Sequence, residues 1–107
     1  MSVIHWNEQI EVVKDPADQV VKHFSYERLL VGNAILASST WDVTSDEEEE
    51  PELEVDQDSI TNDGVYATFR LIGGTGGVRY TVANTAVSNE SPAQTFRRSI
   101  DVVVREL

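Results

Sequence analysis

Phe69 to Asn84 reads FRLIGGTGGVRYTVAN. Two runs of alternating apolar and polar residues flank a glycine-rich corner, Gly73, Gly74, Thr75, Gly76 and Gly77. In the second run Val78, Tyr80 and Val82 share one face, with Arg79, Thr81 and Ala83 on the other. A period of two is the pattern of a half-buried strand. The glycines allow positive φ at a tight corner, where a residue with a Cβ would resist it. A connection of this length suits either a hairpin or a crossing between two sheets.

A tyrosine just after such a corner, followed by Thr-Val, resembles the tyrosine corner of immunoglobulin-like sandwiches. There the phenol hydrogen-bonds back to upstream backbone and pins the connection between the sheets. Gly73, Gly74, Gly77 and Tyr80 are therefore the expected structural corner. The plainer reading is an ordinary hairpin with a half-buried Tyr80.

Outward from this core the chain continues in short strands. Before it, Asn62-Asp63-Gly64 is a tight-turn signal, and Val65, Ala67, Phe69 and Leu71 line one face of the next run. Leu53, Val55 and Ile60 suggest another short strand. Ile35, Ala37, Ser39, Trp41 and Val43 alternate with small polar partners, and Gly32-Asn33 marks a turn ahead of them. Val20, Phe24, Tyr26 and Leu30 share a parity. A helix over Ala17–Leu30 competes there, but Val20-Val21 and the aromatics favour strand. Pro16 punctuates, since it has no N–H for a ladder. At most one short strand precedes Lys14-Asp15-Pro16. The last run points Phe96, Ile100, Val102 and Val104 inward and Arg97, Ser99, Asp101 and Arg105 outward. About seven short strands with little helix predict an all-β sandwich or barrel.

A chain of 107 residues is expected to form one domain, Met1–Val13 being a possible arm. With no cysteine, neither disulfides nor a thiolate metal site can hold it together. No apolar run approaches the ~18 residues that span a bilayer, and MSVIHWNEQ lacks the features of a signal peptide. Residence in a cytosol, or assembly there into something larger, is the expectation. No membrane partner is expected.

The net charge of −11 sits on one segment. From Asp42 to Asp63 there are eleven acidic residues and no Lys or Arg, while the other eight acids are matched by eight basic residues. Nucleic-acid binding is disfavoured, because there is no basic stripe to neutralise phosphates. The like charges of Thr44–Pro51 repel, so an exposed, solvated acidic loop with no specific partner is expected within residues 44–58, the alternative being loose cation association or electrostatic docking to a basic partner.

Chemistry finds little support. His5 and His23 are the only imidazoles, and a solvated or hydrogen-bonded role is the default for each. Ser38, Ser39 and Thr40 lack a G-x-S-x-G context. GGTGG lacks the Lys-Ser/Thr of a phosphate loop and opens a strand rather than a helix. DEEEE is rich in oxygens but has no glycine turn to shape a calcium loop. No catalytic residue, metal ligand or cofactor site is expected.

Four stretches, in order, resemble a family of small tailed-bacteriophage virion proteins. They are Lys14-Asp15-Pro16 with Val20, Phe24, Tyr26 and Leu30; Ile35 with Ser38, Ser39, Thr40, Trp41 and Val43; Leu71 with the glycine corner and Tyr80-Thr81-Val82; and Ile100, Val102, Val104, Arg105 and Glu106. Lys22 and Tyr26 stand where aromatics, Trp in the second case, are usual. The leader is longer, and the Thr44–Asp58 insertion lies outside the pattern. The resemblance implies an immunoglobulin-like sandwich acting as a fibre–tail adaptor, a structural virion component. Its expected partners are other phage tail, neck or fibre proteins, in several copies within a symmetric assembly. A capsid decoration protein and a ligand- or host-surface-binding module are the rivals. The strand ending Val102-Val103-Val104 has apolar residues on both faces, so these residues, with Trp6 of the arm, are the expected partner contacts.

Overall fold

The structure is a computed structural model that describes residues 11–106. Among these residues there is no helix, and seven strands form two sheets. They are β1 (Glu11–Lys14), β2 (Val20–Ser25), β3 (Leu36–Thr44), β4 (Leu53–Ile60), β5 (Tyr66–Gly73), β6 (Arg79–Ser88) and β7 (Thr95–Val104). One sheet has the order β1-β7-β6-β3 and the other β2-β5-β4. All pairs are antiparallel except β1 with β7, which run parallel from Glu11↔Asp101 to Lys14↔Val104. The all-β sandwich expectation holds.

Alternation decides which residues lie between the sheets. Ala67, Phe69 and Leu71 of β5, Tyr80 and Val82 of β6, and Ile100, Val102 and Val104 of β7 are buried. Phe24 and Phe69 stack at 5.4 Å between ring centroids, and Trp41 closes on Phe69 at 4.3 Å. These three rings, from β2, β5 and β3, join the sheets through the largest apolar surfaces available.

Two stretches depart from the sequence reading. The alternation over residues 20–30 stops at Ser25, because Leu29 N–H and Leu30 N–H both donate to Tyr26 O, at 2.9 and 3.1 Å, in a turn. In β3 the register shifts between Leu36 and Ser38. One extra residue flips the face of everything before it. Leu36 is therefore buried, while Ile35 and Ala37, expected inside, are exposed; beyond the bulge Ser39, Trp41 and Val43 regain the expected parity.

Candidate docking end of the sandwich

β5 ends in the three-stranded sheet and β6 begins in the four-stranded one, so the glycine corner carries the chain across the sandwich. Gly73 has φ +73°, and a Cβ there would lie 2.7 Å from Glu52 O. Gly74 has φ +99°, and a Cβ would meet Val104 Cγ2 at 2.7 Å. Neither place tolerates a side chain. Thr75 N–H donates to Tyr80 Oη at 3.0 Å, and Gly77 N–H donates to Val104 O at 2.7 Å. Gly73, Gly74, Gly77 and Tyr80 thus stand together at one end of the molecule.

Lys14 supports this corner from inside. Its side chain is buried, and Nζ donates to Gly73 O at 2.6 Å, to Asp15 O at 2.9 Å and to Pro16 O at 3.4 Å. Burial pushes its pKa down, and the nearby Asp18 and Asp15 charges oppose that shift. Asp15 and Pro16 shape the turn that follows: Ala17 N–H donates to Asp15 Oδ1 at 2.9 Å and Asp18 N–H to Asp15 O at 3.0 Å. Lys-Asp-Pro is therefore an anchor followed by a turn, with Pro16 at a position that needs no N–H.

The acidic loop comes to the same end. Tyr80 Oη donates to Glu48 Oε1 at 2.5 Å and Thr75 Oγ1 to Glu48 Oε2 at 2.8 Å. Glu52 N–H donates to Glu48 Oε1 at 3.1 Å, and Arg79 N–H to Glu47 Oε2 at 3.3 Å. The Tyr80 hydrogen bond, then those from Thr75 and the Glu52 backbone, hold the Glu48 carboxyl below its ordinary range. Burial, with the Glu48 bond second, pushes the Tyr80 phenol up. The start of the insertion is thus docked on the corner. Charge counting alone does not show this, since nothing in the sequence separates Glu48 from Glu47, Glu49 or Glu50.

The expected partner contacts separate. Val102 and Val104 are completely buried in the core, Val104 lying under Gly74. Parallel pairing with β1 also covers the outer edge of β7 over Asp101–Val104, so that edge is not open. Val103 remains half-buried on the outer face, opposite the partly exposed Val13. Trp6 and His5 lie outside the described residues. His23 is exposed and meets Tyr66 edge-on at 5.3 Å. Ser39 Oγ serves a core network, accepting from Asn84 Nδ2 at 2.6 Å.

No curated protein matches the sequence. A family model described as podophage GP4 fiber-tail adaptor protein gp77 matches residues 14–103. The match opens on the buried Lys14, takes in the corner and the acidic loop, and closes one residue short of the end of β7. It covers 90 of the 107 residues, and the chain belongs to the podophage GP4 fibre–tail adaptor family, gp77.

Proposed function

We propose that this chain docks a tail fibre or neck component onto the tail of a phage particle, as a non-catalytic structural adaptor. The observation that carries this reading is the family match over nearly the whole sandwich. A tail structural role follows from the family; the docking is the further step. The sandwich suits it, because among the described residues β1, β2, β3 and β4 end their sheets and an added strand can extend such an edge. The outward Val13–Val103 pair and the Met1–Ile10 segment are the proposed contacts with neighbouring tail or fibre proteins, in several copies around a symmetric ring.

We also read the sandwich as immunoglobulin-like. Strand order β2-β5-β4 opposite β3-β6-β7 supports this, as does a tyrosine near the start of the sixth strand bonded back to upstream backbone. Gold-labelled antibody on purified particles, viewed by electron microscopy, tests the adaptor role. Label at the tail or neck is expected. Label spread over the shell would transfer the protein to capsid decoration. If no label binds, mass spectrometry of the same particles decides, and absence of the protein would end the adaptor reading.

A further inference from the structure

A loop crowded with carboxylates gains little from lying against a protein surface, since docking brings like charges together. The loop after β3 nevertheless lies on the glycine corner. Arg79 is the cation beside it, and its guanidinium is engaged elsewhere, on Glu11 at 2.9 Å and Asp101 at 3.0 Å. Only the Arg79 backbone N–H reaches the loop, at Glu47. Hydrogen bonds to two neighbouring carboxylates therefore hold the loop in place, with Glu48 taking both hydroxyl donors.

The phenol is the pivot. Tyr80 is buried, and its one oxygen accepts from the corner at Thr75 N–H and donates to the loop at Glu48. Neither bond belongs to the strand ladders, which run from Arg79↔Val103 to Val87↔Thr95 and from Leu53↔Gly73 to Ile60↔Ala67. The contact can open while both ladders remain closed.

We propose that Glu48, Tyr80 and Thr75 form a latch that holds residues 45–52 against the corner in one pose and that opens without unfolding the sandwich. Closed, it fixes the positions of the neighbouring carboxylates Asp46, Glu49 and Glu50; open, it leaves them on a swinging loop. Their presentation to a docking partner rests on the adaptor reading, but the latch itself does not. Loss of a hydrogen bond to a charged group shifts such a local equilibrium by roughly tenfold or more.

The test is digestion of the full chain with a glutamate-specific protease, which finds several sites in this loop. Tyr80→Phe and Glu48→Ala are expected to be cut within residues 45–52 roughly tenfold faster than wild type. Asp46→Asn, outside the latch and leaving every glutamate site in place, should be cut at the wild-type rate. Thr75→Val removes one donor from an exposed position and should fall between. It keeps the test decisive if Tyr80→Phe fails to fold, and far-UV circular dichroism identifies that case. Equal cutting of wild type, Glu48→Ala and Thr75→Val would overturn the latch. So would wild-type cutting as fast as in urea. The digestion is indifferent to where the protein sits in a particle, so its failure leaves the adaptor reading to the microscopy.

Discussion

Tyr26 Oη donates to Asn84 Oδ1 at 2.6 Å, with both residues fully buried. Tyr26 follows the end of β2 in one sheet, while Asn84 lies in the middle of β6 in the other. Asn84 Nδ2 passes the connection on to Ser39 Oγ at 2.6 Å and Thr40 O at 3.0 Å. Asn84→Ala leaves the buried Tyr26 phenol without its acceptor. It should cost about 2–3 kcal/mol, measured as a lower urea midpoint at unchanged slope.

Burial raises the Tyr26 phenol to about 12, with the Arg98 charge opposing. A raised acid contributes stability that is complete below its unfolded value of 10.0 and is lost as pH rises through the folded one. Wild type should therefore lose about 3 kcal/mol between these two values. Tyr26→Phe, less stable at neutral pH, should show a flatter decline over that window. Denaturant titrations of the two proteins at several alkaline pH values check it; parallel declines would assign the loss to another group.

Glycine matters at the corner more than elsewhere. Gly74→Ala combines positive φ with a Cβ pressed on Val104, and about 2–4 kcal/mol should be lost. Gly32 also has positive φ, but a Cβ there meets nothing within 4 Å. Gly32→Ala should cost only about 1 kcal/mol. Thermal melts of the two variants rank them directly.

Glu48 gives the acid side its shape. A carboxyl held below its ordinary value contributes stability present above 4.5, and that stability is lost as pH falls through the folded value. Asp56, lowered by its paired hydrogen bonds from Arg70, titrates in the same direction. Protease cutting of the acidic loop should therefore accelerate below pH 4.5 in wild type, using an acid-tolerant enzyme. In Tyr80→Phe, already open, the acceleration should be smaller.

A deletion up to Ile10 leaves every described residue of β1 in place. Removing Met1–Ile10 should abolish incorporation into particles while the melting transition stays cooperative. Removing Met1–Lys14 should also lower the melting temperature, since it uncovers β7 and takes Lys14 Nζ from Gly73 O. Unchanged incorporation after the shorter deletion would exclude the arm as a contact.

Most of the sandwich is legible in the sequence, because alternation follows from which face of a strand is buried. The buried faces of Ala67, Phe69 and Leu71, of Tyr80 and Val82, and of Ile100, Val102 and Val104 read correctly, while Ala83, placed on the polar face, is buried as well. Ile35 and Leu36 exchange places because a single inserted residue reverses parity, and Ala37 carries no sign of being the extra one. The pairing of β1 with β7 was hidden for another reason. It joins opposite ends of the chain, and no local pattern records which strand lies beside which. Lys14 was visible only as part of a motif; its buried ammonium depends on carbonyls brought in from Gly73, 59 residues away. Glu48 had no mark at all among identical neighbours.

The parallel β1–β7 pair also has a mechanical meaning. A load applied to the chain before Glu11 and after Val104 pulls the two strands in opposite directions along their length. Every bond from Glu11↔Asp101 to Lys14↔Val104 then bears force in shear at once. An antiparallel pair pulled from adjacent ends would instead open one bond at a time. Stretching single molecules by handles at residues 11 and 106 should give a higher rupture force than pulling across the β4–β5 hairpin from residues 53 and 73. A domain joined in this way resists tension along one line, from the chain before Glu11 to the chain after Val104.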